Sequence, residues 1–307
     1  MIRFILSRLI QGIIVVAVVL SLTYVIMALS PGSPFANDKA SSPAVRENLE
    51  RIYGLDKPLV VQVWKNLKSF ATFNFPVSYR LKGWTVNDII AQGAPVSFTV
   101  GGMAFLIALA LGIPAGALAA MRAGQIQDRA VMMAATLGVC VPSLVLGPII
   151  ALVFALHLHW FDAAGSGNTG DWVLPSFTLG LISAAAVARL TRGGLRETLL
   201  ADYIRTARAK GASERAIVTR HAFRLACQPL LNYLGPLAAG LLSGSFVTET
   251  VFNLPGLGRH FINSALHKDY TVAMSLAGLF AALTVLFNLL VDILQAWLNP
   301  RIRLTDS

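Results

Sequence analysis

Charge and cysteine are both scarce in this chain. Only 13% of its 307 residues are charged, against about a quarter in soluble domains. The two cysteines, Cys140 and Cys227, fall in apolar or juxtamembrane segments without metal-ligand spacing. A disulfide between them has no support, and both read as small inert hydrophobes. No Gly-rich loop ending in Gly-Lys-Ser/Thr occurs, so nothing here cradles a nucleotide phosphate. No Ser-Lys, Asp-Asp or His-Glu-x-x-His arrangement lies within an apolar stretch, which argues against an intramembrane protease or metalloenzyme. His157 and His159 stand beside Trp160 and Asp162, but side chains two apart on a helix face different ways and no third ligand is near. His221, His260 and His267 are scattered. The sequence carries no metal site and no catalytic constellation.

What it has instead is apolar length. Apolar residues make up 55% of the chain and the mean hydropathy is +0.66. They come in blocks at Leu9–Leu29, Val96–Ala120, Ala130–Leu156, Val173–Ala188, Leu230–Val251 and Val272–Leu294. Each is close to the roughly 20 residues a helix needs to cross about 30 Å of hydrocarbon. At this length only helices satisfy their own backbone in lipid, so the expectation is an all-α integral membrane protein with six transmembrane helices. The first block is too long for a cleavable signal, and Leu29-Ser30-Pro31-Gly32 reads as a helix stop rather than a cleavage site. Glu249 and Asp292 fall near span ends, where snorkelling or a helix-packing hydrogen bond accounts for them.

The formal net charge of +10 does not point to nucleic acid, because the basic residues cluster at the ends of apolar blocks and in one loop, the footprint of topology and anionic lipid. With the N-terminus in the cytoplasm, the inside holds Arg3 and Arg8, then Arg122 and Arg129, then the basic residues of 189–224, then Arg301 and Arg303. The short outside loops hold Arg259 and Lys268, and both termini are then cytoplasmic. Trp160, Trp172 and Trp297 fall at interface depth. The longer segment 30–95 is exempt from the charge rule and is expected to form a small helical periplasmic insertion. One helix opens at Ser42-Pro43 and runs to about Arg51, punctuated by Gly54, and a second opens at Pro58 and runs to about Phe70. Gly112 and Gly116, bracketing Pro114, and the pair Gly240 and Gly244 suit close helix packing. Pro114, Pro142 and Pro148 suit kinks, and either set also suits a moving part.

Topology alone does not explain the segment between the fourth and fifth blocks, 189–228. From Arg189 to Arg224 it holds nine basic and three acidic residues, a net of +6. Leu195, Leu199 and Tyr203 recur at helical spacing. Gly211 breaks the chain where a left-handed residue is wanted, and Ser213 is placed to cap a second helix with Ile217, Val218, His221, Ala222 and Leu225 as its apolar stripe. Pro229 ends that helix and begins the fifth span. A helix–Gly–helix of this kind either lies on the lipid surface or docks a soluble partner.

The residues themselves favour docking. Arg205-Thr206-Ala207, three residues, Gly211, then His221-Ala222-Phe223-Arg224 and Pro229 resemble the coupling loop of binding-protein-dependent ABC importer permeases, in its oligopeptide/dipeptide branch. The resemblance covers the whole chain. It includes Ser7-Arg8 and Leu29-Ser30-Pro31-Gly32-Ser33-Pro34-Phe35 at the N-terminus, and Tyr53-Gly54-Leu55-Asp56-Lys57-Pro58-Leu59 with Gln62. It continues through Val251–Arg259 with Lys268-Asp269-Tyr270, and ends in Val291-Asp292 and Asn299-Pro300-Arg301-Ile302-Arg303. Pro31–Phe35 and Trp84-Thr85-Val86-Asn87-Asp88-Ile89 resemble the B-type permeases of oligopeptide systems. Two stretches depart from the pattern. Ala71–Pro76 stands where relatives carry a GDFG-like turn, and Arg205 replaces the first acidic residue of the general triplet, as is common in this branch.

The resemblance implies a single transmembrane domain, 1–307, that takes no part in hydrolysis. Its partners are a second homologous permease, two ABC ATPases that bind ATP and Mg, and a periplasmic peptide-binding protein. Arg205, Thr206, Ala207, Arg208, Lys210, Gly211, Glu214 and His221 are the expected ATPase-coupling residues. The expected cargo is oligopeptide, with dipeptide, glutathione or nickel-chelate as the alternatives within the family. Selectivity is expected to sit largely in the receptor, and the residues lining the path stay unassigned. A proton-coupled secondary transporter is the alternative from another class, but no convincing internal repeat supports it.

Overall fold

The computed structural model describes residues 2–30, 43–81, 83–162 and 169–298, and among them the chain is helical with one isolated bridge, between Val77 and Thr85. In order the helices are α1 (Ile2–Leu29), α2 (Pro43–Tyr53), α3 (Leu59–Ala71), α4 (Val86–Met121), α5 (Ile126–Cys140) and α6 (Ser143–Ile150), the last continued by a π-helical segment, Ala151–His157. Then come α7 (Val173–Leu199), α8 (Asp202–Ala209), α9 (Glu214–Ala216), a second π-helical segment (Ile217–Ala222), and α10 (Phe223–Ala226). The chain finishes with α11 (Gln228–Leu242), α12 (Phe246–Val251), α13 (Leu257–Leu266) and α14 (Tyr270–Leu298). Among the described residues, the helices long and apolar enough to cross a membrane are Ile5–Leu29, Val86–Met121, Gly170–Leu199, Gln228–Val251 and Tyr270–Trp297.

The sixth expected crossing, Ala130–Leu156, is not one kinked helix. Ile126–Cys140 and Ser143–His157 meet at 106°. Pro142 supplies the cause: its ring drives Val141 out of the helical region, to φ −80 and ψ 118, and its missing N–H cannot continue the ladder. Pro114, by contrast, is absorbed inside α4 without a break. The motifs at Pro31–Phe35 and Asn299–Arg303 lie outside the described residues.

The chain divides into two compact units, Met1–Ser97 with Pro255–Val285, and Phe98–Leu254 with Leu286–Ser307. In the first, α1 turns Leu6, Leu9, Ile10, Ile13, Val18, Leu22 and Ile26 outward, as a lipid-facing helix does, and buries Leu20 and Tyr24 with Tyr270 and Met274 of α14. Val63, Leu67 and Phe70 of α3 pack on that cluster, which holds the insertion to α1. Both insertion helices lie where the sequence places them. The Tyr53–Leu59 motif acquires a physical reason here. Gln62 is buried, hydrogen-bonds the Tyr24 hydroxyl, and donates its amide to the carbonyls of Leu55 at 3.0 Å and Lys57 at 2.5 Å. It thereby satisfies the turn between α2 and α3 from inside. Phe73 takes the left-handed position after α3, at φ 52, and its amide bonds Phe70 O at 3.2 Å. An L-residue there costs about 1–2 kcal/mol.

Asp269 caps α14. It is 2% exposed and accepts from the Ser78 hydroxyl, from Arg80 N at 3.3 Å and from Val272 N at 3.3 Å. This explains the Lys-Asp-Tyr motif as a helix start that also ties down the segment before α4.

In the second unit α7 is central, burying Leu174, Thr178, Ala184, Val187, Ala188, Thr191 and Leu195. Gly112 and Gly116 of α4 lie against it. A Cβ on Gly112 would stand 2.7 Å from both Ala184 O and Val187 Cβ, and one on Gly116 would overlap the Ala188 carbonyl. These glycines are therefore packing residues. The pair Gly240 and Gly244 differs. A Cβ on Gly240 meets open space, and Gly244, at φ +86, ends α11 so that Ser245 can cap α12. Glu249, in α12, is 2% exposed, which rules out snorkelling and leaves an internally engaged carboxylate.

Candidate functional site

The basic segment of the second unit forms an elbow. Its first element differs from expectation, because α7 does not stop at Ala188 but runs to Leu199. Arg189, Arg192 and Arg196 are thus on the end of a spanning helix rather than in a loop. The stripe Leu195, Leu199, Tyr203 is broken as well. The chain leaves the helix at Leu200 and Ala201, where Ala201 is extended at ψ 149, and re-enters it as α8. Leu195 is fully buried, whereas Tyr203 is 42% exposed. The buried residue of α8 is its neighbour Ile204.

The turn after α8 follows from Gly211. Lys210 is the C-cap, Gly211 adopts φ +84, Gly211 N donates to Arg208 O at 3.0 Å, and Ala212 N donates to Ala207 O at 3.2 Å. That double closure is a Schellman motif, and glycine is the one residue that enters it without a Cβ penalty. Ser213 then caps α9, its hydroxyl accepting from Ala216 N at 3.3 Å.

The second arm winds more widely than an α-helix through Ile217–Ala222, and this shifts its inner face. Ile217, Val218, Ala222 and Ala226 are buried, while His221 and Leu225 are exposed. The expected stripe is thus half right. With a π-helical segment the inward positions advance by one residue, which a 3.6-residue repeat does not anticipate. Together with Leu195, Ile204 and Ala120 these residues form one apolar core, on which Ala117, Leu199 and Ala212 also pack.

On this core the expected coupling residues form a surface. Arg205, Thr206, Arg208, Lys210, Gly211, Glu214 and His221 are exposed and Ala207 is half-buried. Arg208 and Glu214 bridge the turn, Nε to Oε1 at 2.7 Å and Nη2 to Oε2 at 3.1 Å. That bond holds the Glu214 carboxyl below its ordinary value and raises the Arg208 guanidinium. Arg205 reaches Asp202 at 3.4 Å, and Thr206 Oγ1 returns a hydrogen bond to Asp202 O at 3.1 Å. His221 stands apart on the π-helical segment. The surface carries no activated nucleophile, and among the described residues no group of His, Cys, Asp and Glu is arranged for a metal. It is an exposed basic surface seated on a buried apolar core.

One partner of the elbow escaped the sequence reading. Asp128 in the first turn of α5 is 3% exposed and receives Arg192 of α7 through Nε and through Nη2, the latter at 2.8 Å to Oδ2, and Gly124 N at 2.8 Å. The available signal was that Asp128 is the lone acidic residue between Asp88 and Asp162.

Known proteins resemble this chain along its whole length. The family model described as binding-protein-dependent transport system inner membrane component matches residues 112–304, and the model for the N-terminal part of such components matches residues 1–76. The chain is 41% identical over 305 residues to the oligopeptide transport system permease protein OppB of Haemophilus influenzae, covering 99% of this chain and 100% of that protein. It is 39% identical over 304 residues to the dipeptide transport system permease protein DppB of Bacillus subtilis, covering 99% of both. Among solved structures its fold is similar to a chain of the MetNI methionine ABC transporter in an inward-facing conformation, with a TM-score of 0.59 and 19% identity, over 69% of this chain and 96% of that one.

Proposed function

The chain belongs to the binding-protein-dependent transport system inner membrane component family as a multi-pass membrane permease, and from that premise we propose that it is one of the two pore-forming subunits of an ATP-driven peptide importer. Its cargo is short peptides, oligopeptides first. It pairs with a second, homologous permease, receives peptide from a binding protein outside the inner membrane, and is driven by two ABC ATPases that hold ATP and Mg. The N-terminus, the α4–α5 turn, the elbow and the C-terminus face the cytoplasm, as the Lys and Arg distribution supports. The α2–α3 insertion and α13 face the receptor.

The observation that carries the mechanism is the elbow, an exposed basic helix ended by a Gly211 turn and seated on a fully buried core continuous with α7. A helix end of this kind inserts in a cleft on the ATPase. Because Ile204 and Leu195 share one core, movement of the ATPase is delivered to α7 as rigid-body rotation rather than lost in a soft loop. The paired permeases then open the path to either side in turn.

Gly211→Asp tests this. It adds a Cβ at a left-handed position, a cost of about 1 kcal/mol or more, and a negative charge on the cationic surface. The two permeases are expected to copurify while the ATPases are lost and vanadate-sensitive uptake ceases. Normal uptake with ATPase retained would remove the elbow from the mechanism.

A further inference from the structure

The Asp128–Arg192 pair lies outside the surface offered to the ATPase, yet it sits where the elbow begins. Arg192 precedes Leu195, the α7 anchor of the elbow core, by one helical turn. Asp128 opens α5, and Gly124, whose amide it accepts, lies in the turn after α4 at φ +81. Ala117 and Ala120 of α4 pack on the elbow core itself. The end of α4 and both arms of the elbow are thus joined to α7 by an apolar core, and the start of α5 is joined to α7 and to the turn after α4 by an ionic clamp.

The clamp is bidentate, and its carboxylate also accepts a backbone amide. Two parallel bonds between planar groups resist rotation and sliding in a way one contact does not. Apolar residues of similar volume would serve stability as well or better, because a buried ion pair seldom outperforms them. What the pair adds is a fixed geometry between α7 and the α4–α5 turn.

We propose that Asp128 and Arg192 are positioning residues that transmit elbow displacement into α5, so that the bent α5–α6 segment moves with α7 during transport. The inference rests on the elbow being the ATPase handle. In the reconstituted four-subunit transporter with its receptor, Asp128→Asn and the apolar double variant Asp128→Leu with Arg192→Met are compared with the unaltered complex. Copurification, ATP hydrolysis and peptide taken up per ATP are measured. Both variants are expected to assemble and hydrolyse ATP, and uptake per ATP is expected to fall by about ten-fold.

Unchanged uptake per ATP in either variant overturns the proposal. So does a parallel loss of hydrolysis and uptake, or failure of both variants to assemble, since the pair would then serve docking or folding alone. Failure of the elbow reading itself is separately visible, because Gly211→Asp would then keep its ATPase and its transport.

Discussion

Arg208 and Glu214 stand on either side of Gly211 and close the turn between them with two hydrogen bonds, 2.7 and 3.1 Å long. Both side chains are about half exposed, at 48% and 58%, so water screens the pair and its weight in global stability is small. Its effect is local, on the shape of the protrusion. Glu214 titrates below its ordinary 4.5 because Arg208 bonds the charged form. A carboxylate with a lowered folded pKa binds fewer protons folded than unfolded. Its contribution is complete above about pH 4.5 and is lost as pH falls through the lowered value. Hydrogen exchange at Ala212 and Ser213 is expected to rise in that acid window, and Glu214→Gln is expected to show the raised exchange already at neutral pH.

Ile204 is the residue on which α8 turns inward, and it is 0% exposed. Ile204→Ala is expected to cost about 2–5 kcal/mol through lost burial and the cavity left behind. The damage should stay in the elbow. Protease cleavage between Leu199 and Arg224 should increase and uptake should fall, with the spans still inserted. Tyr203→Ala, at a more exposed neighbour, should leave cleavage unchanged.

Two glycines make opposite predictions. Gly116→Val drives a branched side chain into the Ala188 carbonyl and Thr191, and is expected to lower the thermal stability of the detergent-solubilised protein and impair uptake. Gly193→Ala places its Cβ in open space on a helix and is expected to be neutral or to stabilise by about 0.5–1 kcal/mol.

Asp269→Ala removes a buried cap and leaves the Ser78 hydroxyl and the Val272 amide without this acceptor, while Arg80 N keeps Ser78 Oγ at 3.1 Å. The expected cost is about 0.5–2 kcal/mol from the cap, with more from the stranded donors. Faster proteolysis around Arg80 in the purified protein would report it, and Asp269→Asn, which keeps an acceptor oxygen, should be milder.

Much of this architecture was legible because lipid imposes simple rules. Apolar blocks became helices, and Pro43, Gly54, Gly211 and Ser213 marked helix ends by backbone chemistry that acts locally. Deviations arose where a residue acts through distant partners or where the helical repeat changes. No local signal says that α7 continues past Ala188, because that extension is held by the elbow core at Ile204 and Ile217. The inward set of the second arm was misassigned at His221 and Leu225 because the backbone there winds wider. Gly240 and Gly244 share the spacing of Gly112 and Gly116, yet spacing does not reveal which pair has a neighbour. Asp128 was silent because a single carboxylate acquires meaning from Arg192, which lies 64 positions away.

The right-angle break at Val141 and Pro142 governs parity. Each arm of the bent pair has fifteen residues, Ile126–Cys140 and Ser143–His157, and at about 1.5 Å per residue reaches about 22 Å, short of the roughly 30 Å of hydrocarbon. Neither arm traverses the bilayer alone, and at 106° the pair is either one broken passage or a re-entrant hairpin. The proposed orientation, with the N-terminus and the elbow on one face, requires the first of these, and excising one arm would then turn an even number of passages before α8 into an odd one and reverse the face on which α8 emerges.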